Sequence, residues 1–190
     1  MNACDIVKPR TKLKVPLYVT YTLRNGGGPC DREREGFNFI EDGCNFCATS
    51  SDYRNSHYEK GHLANAEDFA FDCTEEELTF RYYNCVPQTT ETNHGAWLQW
   101  ETKIRELSKK QKLFIVAGNI FGKQTIGENK VAIPKYCYKI VLSAKTEKIL
   151  YCLVFPNDKS KSVKEISLTD LKKKLGYDLM PASYWKKVNS

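Results

Sequence analysis

The segment Tyr58-Glu59-Lys60-Gly61-His62-Leu63 places one histidine ahead of a series of spaced amide and carboxylate side chains. The series begins with Asn84-Cys85-Val86-Pro87-Gln88 and continues with Asn93, Trp97 and Glu101. Histidine is the side chain best suited to take up a proton near neutral pH. Mg²⁺ prefers oxygen ligands, retains several waters, and needs few protein contacts besides substrate phosphate. The pattern therefore indicates metal-assisted phosphodiester cleavage, with Asn93 as a candidate metal ligand.

These residues resemble the signature of the DNA/RNA non-specific endonuclease family. In that family an Asp-Arg-Gly-His block precedes an Asn-x-x-Pro-Gln block, which is followed by a metal-binding asparagine, a tryptophan and a glutamate. Asn84, Asn93 and Glu101 fall on the family positions without a gap, and Trp97 is the tryptophan. The resemblance extends over roughly residues 15 to 180 and includes the later segments Phe114–Phe121, Val131–Lys135 and Phe155–Asn157.

The resemblance implies an α+β protein with the ββα-metal nuclease fold, in which helices flank a central antiparallel sheet. It also implies a Mg²⁺-dependent endonuclease that hydrolyses phosphodiester bonds in DNA and RNA and leaves 5′-phosphate ends; Mn²⁺ is a possible substitute. His62 is expected to be the general base, Asn93 the metal ligand, and Glu101 the anchor of a metal-bound water. Asn84 is expected to hold the site by hydrogen bonding. All of these contacts are expected to involve the phosphate and to require neither a particular base nor a particular sugar, so DNA and RNA are both expected partners.

Two departures from the family pattern concern the charges around the histidine. Glu59-Lys60 replaces the usual Asp-Arg, which keeps the charges. The planar guanidinium of arginine, which can form two parallel hydrogen bonds to phosphate, is exchanged for the compact ammonium group of lysine. Lys60 and Arg32 are candidate nucleic-acid contacts, and Arg34 is the candidate for the arginine near the scissile phosphate, with Arg32 as its alternative. The departure also leaves a second hypothesis open, in which the chain is a catalytically weakened nucleic-acid-binding module on the same scaffold.

The candidate residues also have ordinary structural interpretations. Asn84 is suited to a turn, Asn93 to a helix cap, and Glu101 to an i,i+4 pair with Arg105. Trp97 is interpreted as a core residue. We favour the catalytic interpretation because one hypothesis unites all of these residues at the observed spacing.

Length and composition predict one domain over residues 1–190, since 41% of the residues are hydrophobic. A net charge of +6 fits a polyanionic partner, although the lysine clusters at 109–112 and 172–174 are also typical of solvated helix ends. The sequence shows neither a signal peptide nor a membrane-spanning run, which predicts an intracellular, cytoplasmic protein. A homodimer is possible.

The eight cysteines suggest mostly reduced thiols, because disulfides are rare in reducing compartments. Cys44 and Cys47 have the spacing of half a zinc site, which Cys30 and Cys73 could complete. Structural Zn²⁺ at these four residues and a disulfide are the two alternatives for this segment.

Periodicity predicts the main elements. Strands are expected at 13–23, 78–83, 113–116, 136–142 and 149–155, with a sheet edge or loop at 121–130. A helix is expected from Thr92 or Asn93 to about Lys109, with Thr92 as N-cap. A short capped helix is expected from Thr169 to Leu175, before Gly176.

Overall fold

The computed structural model of the protein describes residues 12–30, 37–41, 44 and 46–179. The strands in this part of the chain are β1 (Tyr18–Leu23), β2 (Glu59–His62), β3 (Cys85–Gln88), β4 (Leu113–Ile126), β5 (Val131–Ser143), β6 (Ile149–Pro156) and β7 (Lys164–Glu165). The α-helices are α1 (Ser50–Tyr53), α2 (Cys73–Leu78), α3 (Leu98–Ser108) and α4 (Leu168–Leu175). A π-helical segment, Thr92–Trp97, leads into α3, and 3₁₀ turns lie at Ala66–Phe69 and Tyr82–Asn84.

Five strands form the main sheet in the order β1-β4-β5-β6-β7, and every neighbouring pair is antiparallel. Successive side chains of a strand point to opposite faces, so the sheet separates two apolar clusters. Ile115 belongs to one cluster and Val116 to the other. Leu168 and Leu171 of α4 cover the second face, and the first face packs against the unit that contains β2, β3 and α3. The predicted α+β class with a central antiparallel sheet is confirmed.

The strand predicted at 78–83 is wrong. Helix α2 ends at Leu78, and the following strand begins only at Cys85. The Asp72 side chain caps α2 by accepting hydrogen bonds from the backbone N–H groups of Thr74 and Glu75. The cap and the acidic run behind it favour a helix, so Asn84 lies just before a strand and not at the end of one.

The segment predicted as a sheet edge or loop, 121–130, is mostly strand. β4 continues to Ile126, and its pairing with β5 shifts register between Phe121 and Thr125. The turn that follows contains Gly127, whose φ is +65°. Short exposed polar runs carry no clear strand period, which explains why the sequence did not reveal this part of the hairpin.

The helix predicted from Thr92 or Asn93 to about Lys109 is present, but its first turns are irregular. Gly95 has φ −102° and ψ −117°, which is a kink between the π-helical segment and α3. Thr92 is not the N-cap: it lies inside the π-helical segment, and its hydroxyl donates to the Pro156 carbonyl oxygen at 3.0 Å.

The four cysteines considered as zinc ligands form two disulfides, Cys30–Cys73 and Cys44–Cys47. The zinc interpretation is therefore wrong, because each sulfur is already bonded within its own pair; the expectation of reduced thiols is also wrong for these residues. Cys85, Cys137 and Cys152 are free and buried. Over the described ranges, no helix is long and apolar enough to cross a membrane.

Candidate active site

His62 lies on β2, which pairs with β3 in a two-stranded antiparallel unit. The side chains of Lys60 and His62 lie on one face of β2. On the other face, the Gln88 side chain lies directly over the backbone of Gly61. A Cβ at position 61 would come within 2.0 Å of the Gln88 Oε1 atom. The glycine beside the histidine is therefore needed for close packing between the two strands.

The His62 imidazole is half-buried between aromatic rings. Its centroid lies 4.7 Å from the Phe39 ring and 4.7 Å from the Phe80 ring, which it meets edge to face. The Lys60 Nζ atom lies over the rings of Phe39 and Tyr82, at 5.9 and 5.5 Å from their centroids. These contacts hold the imidazole in one orientation and place a positive charge on the same face.

Asn84 is fully buried and holds the backbone around the site. Its Oδ1 atom accepts from the Ala64 N–H at 2.9 Å, and its Nδ2 atom donates to the carbonyl oxygens of Ala64 and Thr79, both at 2.9 Å. These bonds tie the chain just after His62 to the 3₁₀ turn ahead of β3. Asn84 thus fixes the backbone that follows His62.

Asn93 is held by Glu59, the residue that begins β2. The Asn93 Nδ2 atom donates to the Glu59 Oε2 atom at 2.8 Å. His94 Nε2 lies 3.0 Å from the same oxygen, and the Thr90 hydroxyl donates to Glu59 Oε1 at 2.7 Å. A carboxylate only accepts hydrogen bonds, so the amide nitrogen of Asn93 must face Glu59 and its oxygen faces away.

Glu101 is only 3% exposed, and two bonds fix its carboxylate. Lys139, from the middle of the central strand β5, donates to the Glu101 Oε1 atom at 2.8 Å, and Asn65 Nδ2 donates to Oε2 at 2.6 Å. The Lys139 Nζ atom also lies 4.3 Å from the Trp97 ring centroid. Burial raises the pKa of the Glu101 carboxyl, and Lys139 opposes this rise.

The i,i+4 pair with Arg105, which was the ordinary structural alternative for Glu101, is not formed. Arg105 instead forms ion pairs with Glu67 and Asp68 and donates to Asn65 Oδ1 at 3.0 Å. Burial raises the pKa of Asp68, and Lys139 and Arg105 act against this rise. Glu101, Asn65, Arg105 and Asp68 therefore belong to one connected network of polar side chains beside α3.

His62, Asn93 and Glu101 line one cleft of about 310 Å³, together with Asn65, His94 and Trp97. The cleft brings the histidine of β2, the asparagine of the π-helical segment and the carboxylate of α3 to a common space. Trp97 is a core residue, as predicted, and it also forms part of the wall.

The donor set of this cleft fits a hard divalent cation. The Asn93 amide oxygen is oriented away from Glu59, the Glu101 oxygens each retain a lone pair for water, and no soft ligand lines the space. Over the described ranges, no three His, Cys, Asp or Glu side chains form a metal-binding group. The candidate arginines, Arg32 and Arg34, lie outside the described residues.

Sequence reasoning missed four contributors to the site: Glu59, Asn65, His94 and Lys139. Glu59 stands inside the motif, and the spacing between its position and Asn93 gave no sign of the contact between them. Asn65 and Lys139 meet Glu101 across 36 and 38 residues of chain. Only the packing of β2 and β5 against the helix brings these pairs together.

The fold and the cleft define a class of protein: an α+β protein in which a two-stranded unit and the helix behind it present a histidine, an asparagine and a glutamate to one space. The fold is shared with a crystal structure of EndoG in complex with EndoGI. That likeness has a TM-score of 0.80 and 22% sequence identity, and covers 93% of this chain and 84% of the other.

The chain belongs to the DNA/RNA non-specific endonuclease family, whose family model matches residues 6–186. Human mitochondrial nuclease EXOG is 31% identical over 159 residues, which cover 72% of this chain and 43% of that protein. Bovine mitochondrial endonuclease G is 33% identical over 150 residues, which cover 70% of this chain and 50% of that protein. The chain thus matches half or less of the length of these relatives.

Proposed function

We propose that this protein is a metal-dependent endonuclease that hydrolyses phosphodiester bonds in both DNA and RNA and leaves 5′-phosphate ends. The observation that carries the proposal is the meeting of His62, Asn93 and Glu101 in one cleft. Family membership supports the reaction class. The donor set supports Mg²⁺ as the cofactor, with Mn²⁺ as a substitute.

His62 is the general base in this proposal. Neutral imidazole takes a proton from water, and the water oxygen attacks phosphorus as the bond to the leaving 3′ oxygen breaks. Contacts with the rings of Phe39 and Phe80 fix the orientation of the imidazole in this proposal. Lys60, on the same face of β2, offsets the negative charge that grows on the phosphate.

Asn93 is the proposed metal ligand, and Glu59 is its positioning residue. When bound, the cation supplies a positive charge that polarises the phosphate and stabilises the leaving oxygen. Glu59 accepts from the Asn93 Nδ2 atom, so the amide oxygen is turned away from Glu59 and would be the atom that holds the cation. The replacement of Asp by Glu in the motif is compatible with this role, because the longer carboxylate reaches Asn93, His94 and Thr90 together.

Glu101 acts through water in this proposal. Lys139 and Asn65 already use one lone pair on each of its oxygens, and Lys139 balances its charge. A carboxylate held in this way can accept hydrogen bonds from waters in the cleft without binding the cation directly. Arg34, with Arg32 as alternative, remains the proposed arginine at the scissile phosphate. The homodimer and the cytoplasmic location stay predictions.

The test is cleavage of supercoiled plasmid and of RNA by the purified protein in Mg²⁺ or in EDTA. We expect nicking and RNA degradation only with the metal, and loss of activity by a factor of about 10² or more in His62→Ala. His57→Ala is the matched control, because this histidine is exposed and lies outside the cleft. Products should accept label from polynucleotide kinase only after phosphatase treatment, since the proposed ends carry 5′ phosphate.

Two results would reject the proposal. If the wild-type protein shifts DNA on a gel but cleaves neither DNA nor RNA at any Mg²⁺ or Mn²⁺ concentration, the nucleic-acid-binding alternative replaces it. If His62→Ala and His57→Ala cleave equally well, the general base has been assigned to the wrong residue.

A further inference from the structure

A second cleft of about 310 Å³ lies beside β4 and β5 and shares no lining residue with the first. Its polar lining includes Lys123, Lys135, Asn157 and Asp158, and its aromatic lining is Tyr58 and Tyr136. None of these side chains has a part in the catalytic proposal.

The register shift in the β4–β5 hairpin builds one wall of this second cleft. Phe121 pairs with Pro134 and Thr125 pairs with Ala132, so residues 122–124 oppose only Ile133. The extra residues are exposed and carry Lys123 to the surface. Irregularities of this kind reorient side chains and are frequent beside functional sites.

The charges of the second cleft favour an anion. Among the described residues, Lys123 and Lys135 form no ion pair, and the Lys135 Nζ atom lies 5.5 Å from the Tyr136 ring centroid. The one carboxylate, Asp158, already accepts from the Ser160 N–H at 2.8 Å. Hydrogen bonds from Ser160 lower the pKa of Asp158, so the lining carries two positive charges and one negative charge.

The second cleft is rigidly joined to the catalytic unit. Asn157 Nδ2 donates to the carbonyl oxygens of Pro87 and Pro134, and Asn157 Oδ1 accepts from the Thr89 N–H, each at 2.9 Å. Tyr58 directly precedes β2. His62 stands four positions further along the chain, which is about 13 Å at ~3.3 Å per residue of extended strand.

We propose that the second cleft binds a single-stranded stretch of the substrate some three to four nucleotides from the cleaved bond. The spacing follows from about 13 Å of strand at ~3.4 Å per stacked nucleotide. Lys123 and Lys135 contact backbone phosphate, and Tyr58 or Tyr136 stacks on a base, which needs no particular sequence. The inference rests on the proposed nuclease function and adds an extended substrate site to it.

The first experiment measures binding without cleavage. In a His62→Ala background with EDTA, fluorescence anisotropy follows a labelled single-stranded oligonucleotide of about 16 nucleotides over a range of salt. Lys123→Ala with Lys135→Ala should weaken binding about tenfold and lower the salt slope by about 1.4, near 0.7 for each lost phosphate contact. Lys145→Ala with Lys148→Ala is the matched control, because it removes the same charge from an exposed turn outside both clefts.

The second experiment uses chain length and base content. With His62 intact, the Lys123/Lys135 double variant should raise KM for the 16-mer and leave the cleavage of a trinucleotide unchanged, because a trinucleotide cannot reach both clefts. Tyr58→Leu combined with Tyr136→Leu should weaken binding of the normal 16-mer fivefold or more and leave binding of an abasic 16-mer unchanged; equal weakening of both oligonucleotides would overturn the stacking. Thermal unfolding of each variant verifies the fold.

The outcomes separate this inference from the function on which it rests. If wild-type protein cleaves neither of these oligonucleotides and neither plasmid nor RNA, the proposed nuclease function fails. If wild type cleaves both lengths and the two lysine pairs weaken binding equally, the function stands and the second cleft is not a substrate site. If the Lys123/Lys135 double variant weakens the binding of duplex DNA but not of the single-stranded 16-mer, the assignment to a single strand is overturned.

Discussion

The buried ion pair between Lys139 and Glu101 supports a prediction about stability. At 2.8 Å and an effective dielectric constant of about 20, the attraction between the two charges is about 6 kcal/mol. Desolvation of the two ions offsets most of this gain, because the side chains are only 1% and 3% exposed. Removing one partner is different, since it leaves the other charge buried without compensation.

We predict that Lys139→Met lowers the free energy of unfolding by about 3–5 kcal/mol. Methionine has a similar length but gives up the contact of the Lys139 ammonium with the Trp97 ring, so the loss reports mainly the unpaired Glu101 carboxylate and, to a smaller extent, that contact. A domain of this size is stable by only about 5–15 kcal/mol, and the variant is therefore expected near the limit of folding. Urea unfolding in EDTA, followed by circular dichroism, measures the change without a metal contribution.

Two further proteins make this measurement decisive. Lys139→Met combined with Glu101→Gln should recover most of the loss, because the glutamine oxygen can still accept from Asn65, the carboxylate that Lys139 neutralised is gone, and Asp68 keeps its ion pair with Arg105. Lys109→Met, at the exposed pair with Glu106, should change stability by less than about 0.5 kcal/mol. A loss below about 1 kcal/mol in Lys139→Met, or a double variant no more stable than the single one, would refute the reasoning.

Three other predictions concern the metal site, the disulfides and acid stability. Asn93→Ala should abolish Mn²⁺ binding, measured by electron paramagnetic resonance. Glu59→Gln should weaken Mn²⁺ binding about tenfold or more, since the Asn93 amide then no longer faces a carboxylate that fixes its orientation. Equal Mn²⁺ affinity in wild type and both variants would exclude these roles. The Cys30–Cys73 disulfide spans 43 residues, and its replacement by two serines should cost about 4 kcal/mol by the loop-entropy relation, measured by urea unfolding; unchanged stability would contradict a bond that constrains the unfolded chain. Burial opposes the ionisation of Asp52, but hydrogen bonds from Thr49 and Asn129 outweigh it and lower its pKa below 3.8. The stability from Asp52 is therefore complete above pH 3.8 and is lost as the pH falls through the lower native pKa, so Asp52→Asn should be less stable at pH 7 and lose less on acidification; parallel stability curves for the two proteins would refute this sign.

Much of the candidate site was predictable because it depends on spacing along one segment. The four-residue steps from Asn93 to Trp97 and Glu101 place these side chains on one flank of a helix, and the kink at Gly95 does not remove them from the common cleft. The alternation of apolar residues likewise predicted the central strands, whose two faces must be covered by other elements. Local chemistry also predicted the last helix: Ser167 caps it, and Gly176 ends it with φ +71°.

The sequence by itself therefore determined the family, the α+β class and three residues that face the cleft, His62, Asn93 and Glu101, since periodicity and motif spacing are local properties of the chain. The tertiary structure alone decided how those residues are held. Glu59 meets Asn93 across 34 residues, and Lys139 meets Glu101 across 38. The pairing of the cysteines and the second cleft also depend on segments far apart in sequence. Contacts of this kind form only when separate elements pack against one sheet, and no local pattern encodes which side chains then come within hydrogen-bonding distance.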